Sequence, residues 1–209
     1  SAVPSSWGIY VQGQSGLKLK SISCTGAYGS EIKKVKMTAD SRIRTTDYPE
    51  LPEMDHISQS GEVSVMVTVT DSRNRTVNKS AVVSVVSYAS PKLSSVKSER
   101  CNASGETDND GTYFLSTTSA VFPSCLGKNA LTLTVKYKRT DLKNYGNEVQ
   151  INPGSNVCAN NDLDPEYSCD VLYTLSDEFN TVTYSDFVST AVYLMHFLHG
   201  GRTTSRSCS

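Results

Sequence analysis

The sequence predicts an all-β protein built as two tandem immunoglobulin-like or fibronectin-like β-sandwiches. Three observations carry that expectation. Ser, Thr and Val are abundant, only 37% of residues are hydrophobic, and runs of strong helix formers are absent. This balance suits strands with one wet face. The stretch 61–87, GEVSVMVTVTDSRNRTVNKSAVVSVVS, reads as two strands and a turn. Val63, Val65, Val67 and Val69 alternate with polar residues and Met66, Asp71 to Arg75 supplies turn chemistry, and Val77, Ala81, Val83 and Val85 resume the alternation. The pattern then recurs. Cys169, Val171, Tyr173 and Leu175 stand before Asp177 as Val63, Val65, Val67 and Val69 stand before Asp71, and Asn180 aligns with Asn74. The returning strands differ in parity by one residue, so the second turn should be one residue shorter or bulged.

Two copies imply two domains, expected at 1–88 and 92–201, with a linker at 89–91 closing on Pro91 and a disordered tail over 202–209. Within the first, a short apolar stretch at Trp7 to Val11 precedes a Gly-bounded turn and a strand through Leu17, Leu19 and Ile22. Another strand runs through Ile32, Val35 and Met37. Asp40 to Asp55 carries Pro49 and Pro52 and suits edge strands or a loop, because proline cannot donate to an inner ladder. Within the second domain, strands are expected from Leu93, over Tyr113 to Phe122, over Leu131 to Tyr137, from Cys169 to Leu175, and from Val182 outward to Leu194. Polar loops separate them at Cys101 to Gly111 and from the 140s to Pro165. The antibody variety is not expected: the lone Trp is residue 7, and each returning hairpin has at most one Cys.

A formal charge of −1 argues against a nucleic-acid or anionic-membrane binder. No apolar run approaches the roughly 20 residues needed to span a bilayer, and the first residues lack the charged and apolar regions of a signal peptide, reading as a fragment boundary or processed end. The six cysteines are thinly spread with no Cys-x-x-Cys pair. Mostly free thiols are expected, with any bridge falling in the second half. The sequons at Asn74, Asn78 and Asn102 read as chance in so Asn-, Ser- and Thr-rich a chain.

No hydrolase elbow, phosphate loop or dinucleotide fingerprint occurs, and no enzymatic activity is expected. His196 and His199 on one strand would face apart, and His56 falls in a proline-rich loop. Asp108 and Asp110 open like a calcium loop but lack the closing Glu, and Asp162, Asp164 and Glu166 form a second acidic cluster. No metal site or cofactor is therefore expected. Calcium is the one ion such loops would suit, against the plainer reading that Asp-Asn-Asp-Gly makes a turn. Tyr is over-used, with 11 copies against 5 Phe. Tyr28, Tyr48, Tyr145 and Tyr167 fall in loops, where an aromatic ring with a hydroxyl suits protein or sugar contact. Asp108, Asp110, Tyr145, Asp162, Asp164 and Tyr167 are the candidate binding residues.

The order of several segments carries a resemblance. Tyr10-Val-Gln-Gly13, Gly26-Ala-Tyr-Gly-Ser-Glu-Ile32, Val69-Thr-Asp-Ser-Arg-Asn-Arg-Thr76, Tyr88-Ala-Ser-Pro91, and Arg100-Cys-Asn102 followed by Asp110-Gly-Thr-Tyr113 resemble a family of minor structural proteins of siphophages. These are tail or tail-fibre components with tandem immunoglobulin-like modules. The likeness extends to about Gly201-Arg-Thr203, and in the family a Gly often sits where Asn74 stands, which fits a left-handed turn position. The resemblance implies a non-enzymatic virion protein that spaces or displays host-contacting parts. Other tail proteins and a host-surface glycan or protein would be its partners. It implies neither nucleic-acid binding nor membrane insertion, and it is compatible with a homo-oligomer. A carbohydrate- or receptor-binding module and a bacterial surface adhesin domain are the alternatives.

Overall fold

The computed structural model describes residues 2–190, 193–198 and 202–207, with side chains to residue 190. Among these, regular structure is almost entirely strand, apart from two single 3-10 turns at Ser5–Trp7 and Ala27–Gly29. The chain divides into two compact units, Ser1–Ala89 with Pro123–Asn129, and Ser90–Phe122 with Ala130–Ser209. The break after Ala89 lies in the stretch 89–91 expected as a linker.

In the first unit, β1 (Tyr10–Val11), β2 (Leu17–Lys18), β3 (Ile32–Ala39), β4 (Arg42–Asp47), β5 (Glu53–Met54), β6 (Gly61–Asp71) and β7 (Thr76–Val86) follow in order. Five make one sheet, β1-β7-β6-β3-β4, and β2 pairs with β5 in a second. The proline-broken stretch yields an edge strand, β4, and the two-residue β5, consistent with its missing donors. β3 and β4 join through Asp40 and Ser41, both at positive φ (54° and 57°), the tight turn that matches strand twist. The Asp40 carboxylate also accepts from the Ser58 amide and hydroxyl and the Gln59 amide, tying the next loop to this turn. Leu17, Met37, Ala39, Met54, Ile57, Val63 and Val85 form the core.

In the second unit, β8 (Lys92–Cys101), β9 (Tyr113–Val121), β10 (Thr132–Arg139), β11 (Val149–Ile151), β12 (Gly154–Cys158), β13 (Cys169–Ser176) and β14 (Thr181–Val188) form sheets β12-β9-β8 and β11-β10-β13-β14. Leu93 and Phe114 from one sheet meet Leu133, Val135, Val171, Tyr173 and Leu175 from the other. Two facing sheets with one apolar layer between them are the sandwich expected from the period-two pattern. The loop expected between the 140s and Pro165 contains β11 and β12. Beyond them, β15 (Tyr193–Leu198) pairs with β16 (Arg202–Ser207). β16 falls in the stretch 202–209 expected as a disordered tail, of which residues 208–209 lie outside the described residues. The His196 and His199 side chains lie outside them too. Cys24, Cys101, Cys125, Cys158 and Cys169 are free thiols.

The repeated hairpins are β6–β7 and β13–β14, and their turns differ as the parity requires. The Asp71 amide donates to the Arg75 carbonyl, whereas the Asp177 amide donates to the Asn180 carbonyl, one residue nearer. In each, the aspartate Oδ1 accepts two turn amides, from Arg73 and Arg75 in the first and from Phe179 and Asn180 in the second. Asn74 takes φ 62°, the conformation glycine adopts without cost. Asp71 Oδ2 further accepts from Ser30 Oγ (2.8 Å) and from Arg75 Nη2 (2.7 Å). Burial by itself raises this carboxyl, but the bonds from Arg75, Ser30 and Arg73 outweigh it and hold the group well below the usual carboxylate range. A depressed folded value contributes stability that is present above the unfolded pKa of about 3.9 and is lost as pH falls through the folded value. Asp71→Asn should therefore lower the melting temperature of the first unit at pH 7 and leave a shallower decline in acid. Melts followed by Trp7 fluorescence from pH 7 to pH 2 check this, and acid limbs parallel to the parent would contradict it.

Candidate functional site

Strand directions bring the candidate loops to one end of the second unit. β8 and β10 finish there, β9 and β13 begin there, and β14 ends there, because neighbouring strands in each sheet run antiparallel. Loops 102–112, 140–148 and 159–168 thus share that end. Their anchor is Arg100, which sits opposite Phe114 on the inner face of β8 and is 5% exposed. Its guanidinium donates to the carbonyls of Gly111 (2.9 Å), Tyr167 (2.8 Å), Ser189 (3.1 Å) and Asp164 (3.4 Å). A buried cation is tolerated only when its donors are satisfied, and here backbone from three segments satisfies them. The Leu163 amide also donates to the Thr112 carbonyl, and Thr112 Oγ1 bonds Asn161. At Gly111 a Cβ would lie 2.1 Å from the Cys101 carbonyl oxygen, so the close approach requires glycine.

Three of the acidic side chains, Asp108, Asp162 and Asp164, help hold this end together. Asp108 Oδ1 accepts the Asp110 amide, and the Gly111 amide donates to the Asp108 carbonyl, so Asp-Asn-Asp-Gly is a turn. Asp164 Oδ1 accepts the Glu166 amide in a similar turn. The Tyr137 hydroxyl lies 2.7 Å from both Asp162 oxygens. Burial first and Asp162 second push the Tyr137 hydroxyl pKa well up, so it stays a donor. Among the described residues no three His, Cys, Asp or Glu side chains converge as a metal site would need.

The aromatic rings are held by cations. The Arg139 guanidinium lies 3.5 Å over the Tyr167 ring while Asp141 grips it from the side with two bonds. Tyr167 keeps 38% of its surface exposed. Tyr145 is held differently, with Lys136 and Lys138 ammonium groups 5.7 and 5.5 Å from its ring centre. Lys136 and Lys138 project from the opposite face of β10 to Tyr137 and Arg139. The structure therefore brings the Asp108–Asp110 loop together with Asp162, Asp164 and Tyr167, and sets Tyr145 apart on the outer face. What this end can offer a ligand is one preset ring and hydrogen-bonding loops. Arg100, Tyr137 and Arg139 were not among the candidates. For Arg100 a signal exists: continuing the alternation Val96, Ser98, Arg100 points a cation inward.

No protein-family model matches the chain, and no curated protein matches it. Among solved structures it is similar to the chicken CNTN1 FN1–FN3 domains, at 13% identity and a TM-score of 0.35 over 87% of this chain and 65% of that one. It is also similar to Drosophila OTK extracellular domains 3–5, at 10% identity and 0.31 over 88% and 63%. A third is the central fibronectin-III array of RIM-binding protein, at 6% identity and 0.28 over 95% and 76%. The chain thus spans slightly less than two thirds of the first two.

Proposed function

We propose that the chain is a non-enzymatic structural module of a phage tail or tail fibre, in which two sandwiches in series space or display the parts that contact the host. The observation that carries this reading is the duplication itself. Sheet β7-β6-β3-β4 of the first unit and sheet β14-β13-β10-β11 of the second have the same strand order, so one scaffold is used twice. Of the candidate carboxylates, Asp108 and Asp164 accept turn amides and Asp162 accepts the Tyr137 hydroxyl. The order of motifs shared with siphophage minor structural proteins supports the virion setting, with other tail proteins as partners and no cofactor. Gold-labelled antibody raised against the chain should decorate tails of the particles that carry it. Particles free of label, with the antigen detected only in lysate, would overturn the assignment.

Receptor or glycan binding at the loop end of the second unit is the second reading, favoured by the exposed, cation-backed ring of Tyr167. It is tested on a glycan array with the whole chain and Tyr167→Ala.

A further inference from the structure

Compared strand by strand, the two units differ by one element. Sheet β2-β5 corresponds to β9-β12, but β9 carries a further neighbour, the ten-residue β8, and β2 does not. The first unit has only the two-residue β1 before β2, and β1 pairs with β7 in parallel at Val85 and Val86. In the second unit β8 covers the inner face of β14: the Leu93 amide donates to the Tyr184 hydroxyl at 2.9 Å, and Val182 and Tyr184 are half-buried. In the first unit the equivalent face is open. Val77, Lys79 and Ala81 lie opposite Val69, Val67 and Val65 and so share the core-facing side of the sheet, yet all three are exposed, Val77 by 57%.

Two backbone edges border the opening. β7 is paired along its length with β6, but from Thr76 to Ser84 its other side has no strand. Residues 20–26 run with Ile22 and Cys24 half-buried and no ladder partner. Between these edges is a cleft of about 230 Å³ lined by Cys24, Gly26, Ile32, Val69, Arg75 and Val77. Lys79 stands on the inner face with no carboxylate paired to it among the described residues.

We propose that the first unit is an acceptor for an extended strand from another polypeptide. The strand lies over Val77, Ala81 and Val83 in the place β8 holds in the second unit. It bonds an open backbone edge and sets an Asp or Glu against Lys79. Main-chain bonds supply the affinity of such strand addition, and alternate side chains supply the selectivity. A second copy of β7 is disfavoured as the occupant: antiparallel pairing centred on residue 79 would set the two Lys79 side chains directly opposite, and pairing centred on residue 80 would leave them diagonal neighbours on one face; an inward lysine on an edge is a device against such pairing. Residues 2–7 are engaged elsewhere, with the Ala2 amide donating to the Gln14 carbonyl and Ser5–Trp7 in a 3-10 turn. The acceptor role does not depend on where the chain works.

The test uses the whole chain and two synthetic nine-residue peptides of alternating Val and Thr, one with a central Asp and one with a central Lys. The Asp peptide should slow hydrogen exchange over residues 76–84 or 20–26, leave β14 unchanged, and bind about tenfold more tightly than the Lys peptide. Lys79→Glu, at an exposed side chain, should reverse that preference. Equal binding of the two peptides, protection outside these edges, or no protection at millimolar peptide would overturn the proposal. Concentration-dependent dimers that protect residues 76–84 without peptide would overturn it as well, by assigning the edge to a second copy.

Discussion

Replacing Arg100 with Met should cost the second unit about 3–5 kcal/mol, because it removes one charged donor shared by four buried or part-buried bonds, each such bond being worth about 1.5–3 kcal/mol before losses are shared. The substitution keeps side-chain length while stripping the bonds from the Gly111, Asp164, Tyr167 and Ser189 carbonyls. The Gly111 oxygen, on a buried residue, then loses this donor, which costs more than the bond itself contributed. Arg100→Lys should recover only part of the loss, because an ammonium presents its donors from one point and cannot reach carbonyls arranged around a planar fork. Urea denaturation of the whole chain measures the cost. Hydrogen exchange over residues 102–112 and 159–168 locates it. A change under about 1 kcal/mol with unaltered exchange would show that the loops hold themselves.

Tyr173→Ala should be comparably severe, at about 3–5 kcal/mol, the usual cost of truncating a buried aromatic. Tyr173 is 0% exposed, and its hydroxyl bonds Ser98 at 2.8 Å and Ser116 at 3.0 Å. Tyr173→Phe keeps the volume but leaves Ser116 without this partner, so about 1–2 kcal/mol is expected. Burial raises the Tyr173 pKa against the opposing pull of the two serines, so the hydroxyl remains protonated and available as donor. Val67 stands at the aligned position of the first unit and is only half-buried. Val67→Ala should cost about 1 kcal/mol or less. Similar costs at both positions would contradict the difference in cover between the two units.

That contrast locates where sequence reading succeeds and where it stops. Cys169, Val171, Tyr173 and Leu175 are all buried, as their alternation predicts. Val63, Val65, Val67 and Val69 have the same alternation, yet Val65 and Val67 are half-buried. Alternation states which residues share a face; whether that face is covered depends on the opposite sheet, which here is β2 and β5 alone. β11 and β12 are not legible in the sequence because Gly154, Asn156 and their polar neighbours carry little strand pattern. Their pairing with β10 and β9 supplies the backbone partners that the side chains do not advertise. At the candidate site, the convergence of loops 102–112 and 159–168 follows from strand count and direction, which the hairpin repeat made legible. The separation of Tyr145 was not legible, because it depends on which side of β10 the 140–148 loop folds across.

The parallel seating of β1 on β7 has a mechanical meaning. Opposed tension applied at residue 10 and at residue 86 would load the bonds between these strands together, in shear, rather than opening them one after another. The clamp is short: Tyr10 and Val11 are the paired residues, with the Gln12 amide reaching the Val86 carbonyl. So few bonds in register give a low barrier to forced opening, and resistance to force follows the unfolding barrier rather than equilibrium stability. Under tension across those points, the first unit would therefore yield early, stretching as a compliant joint and absorbing work that a rigid rod would pass on.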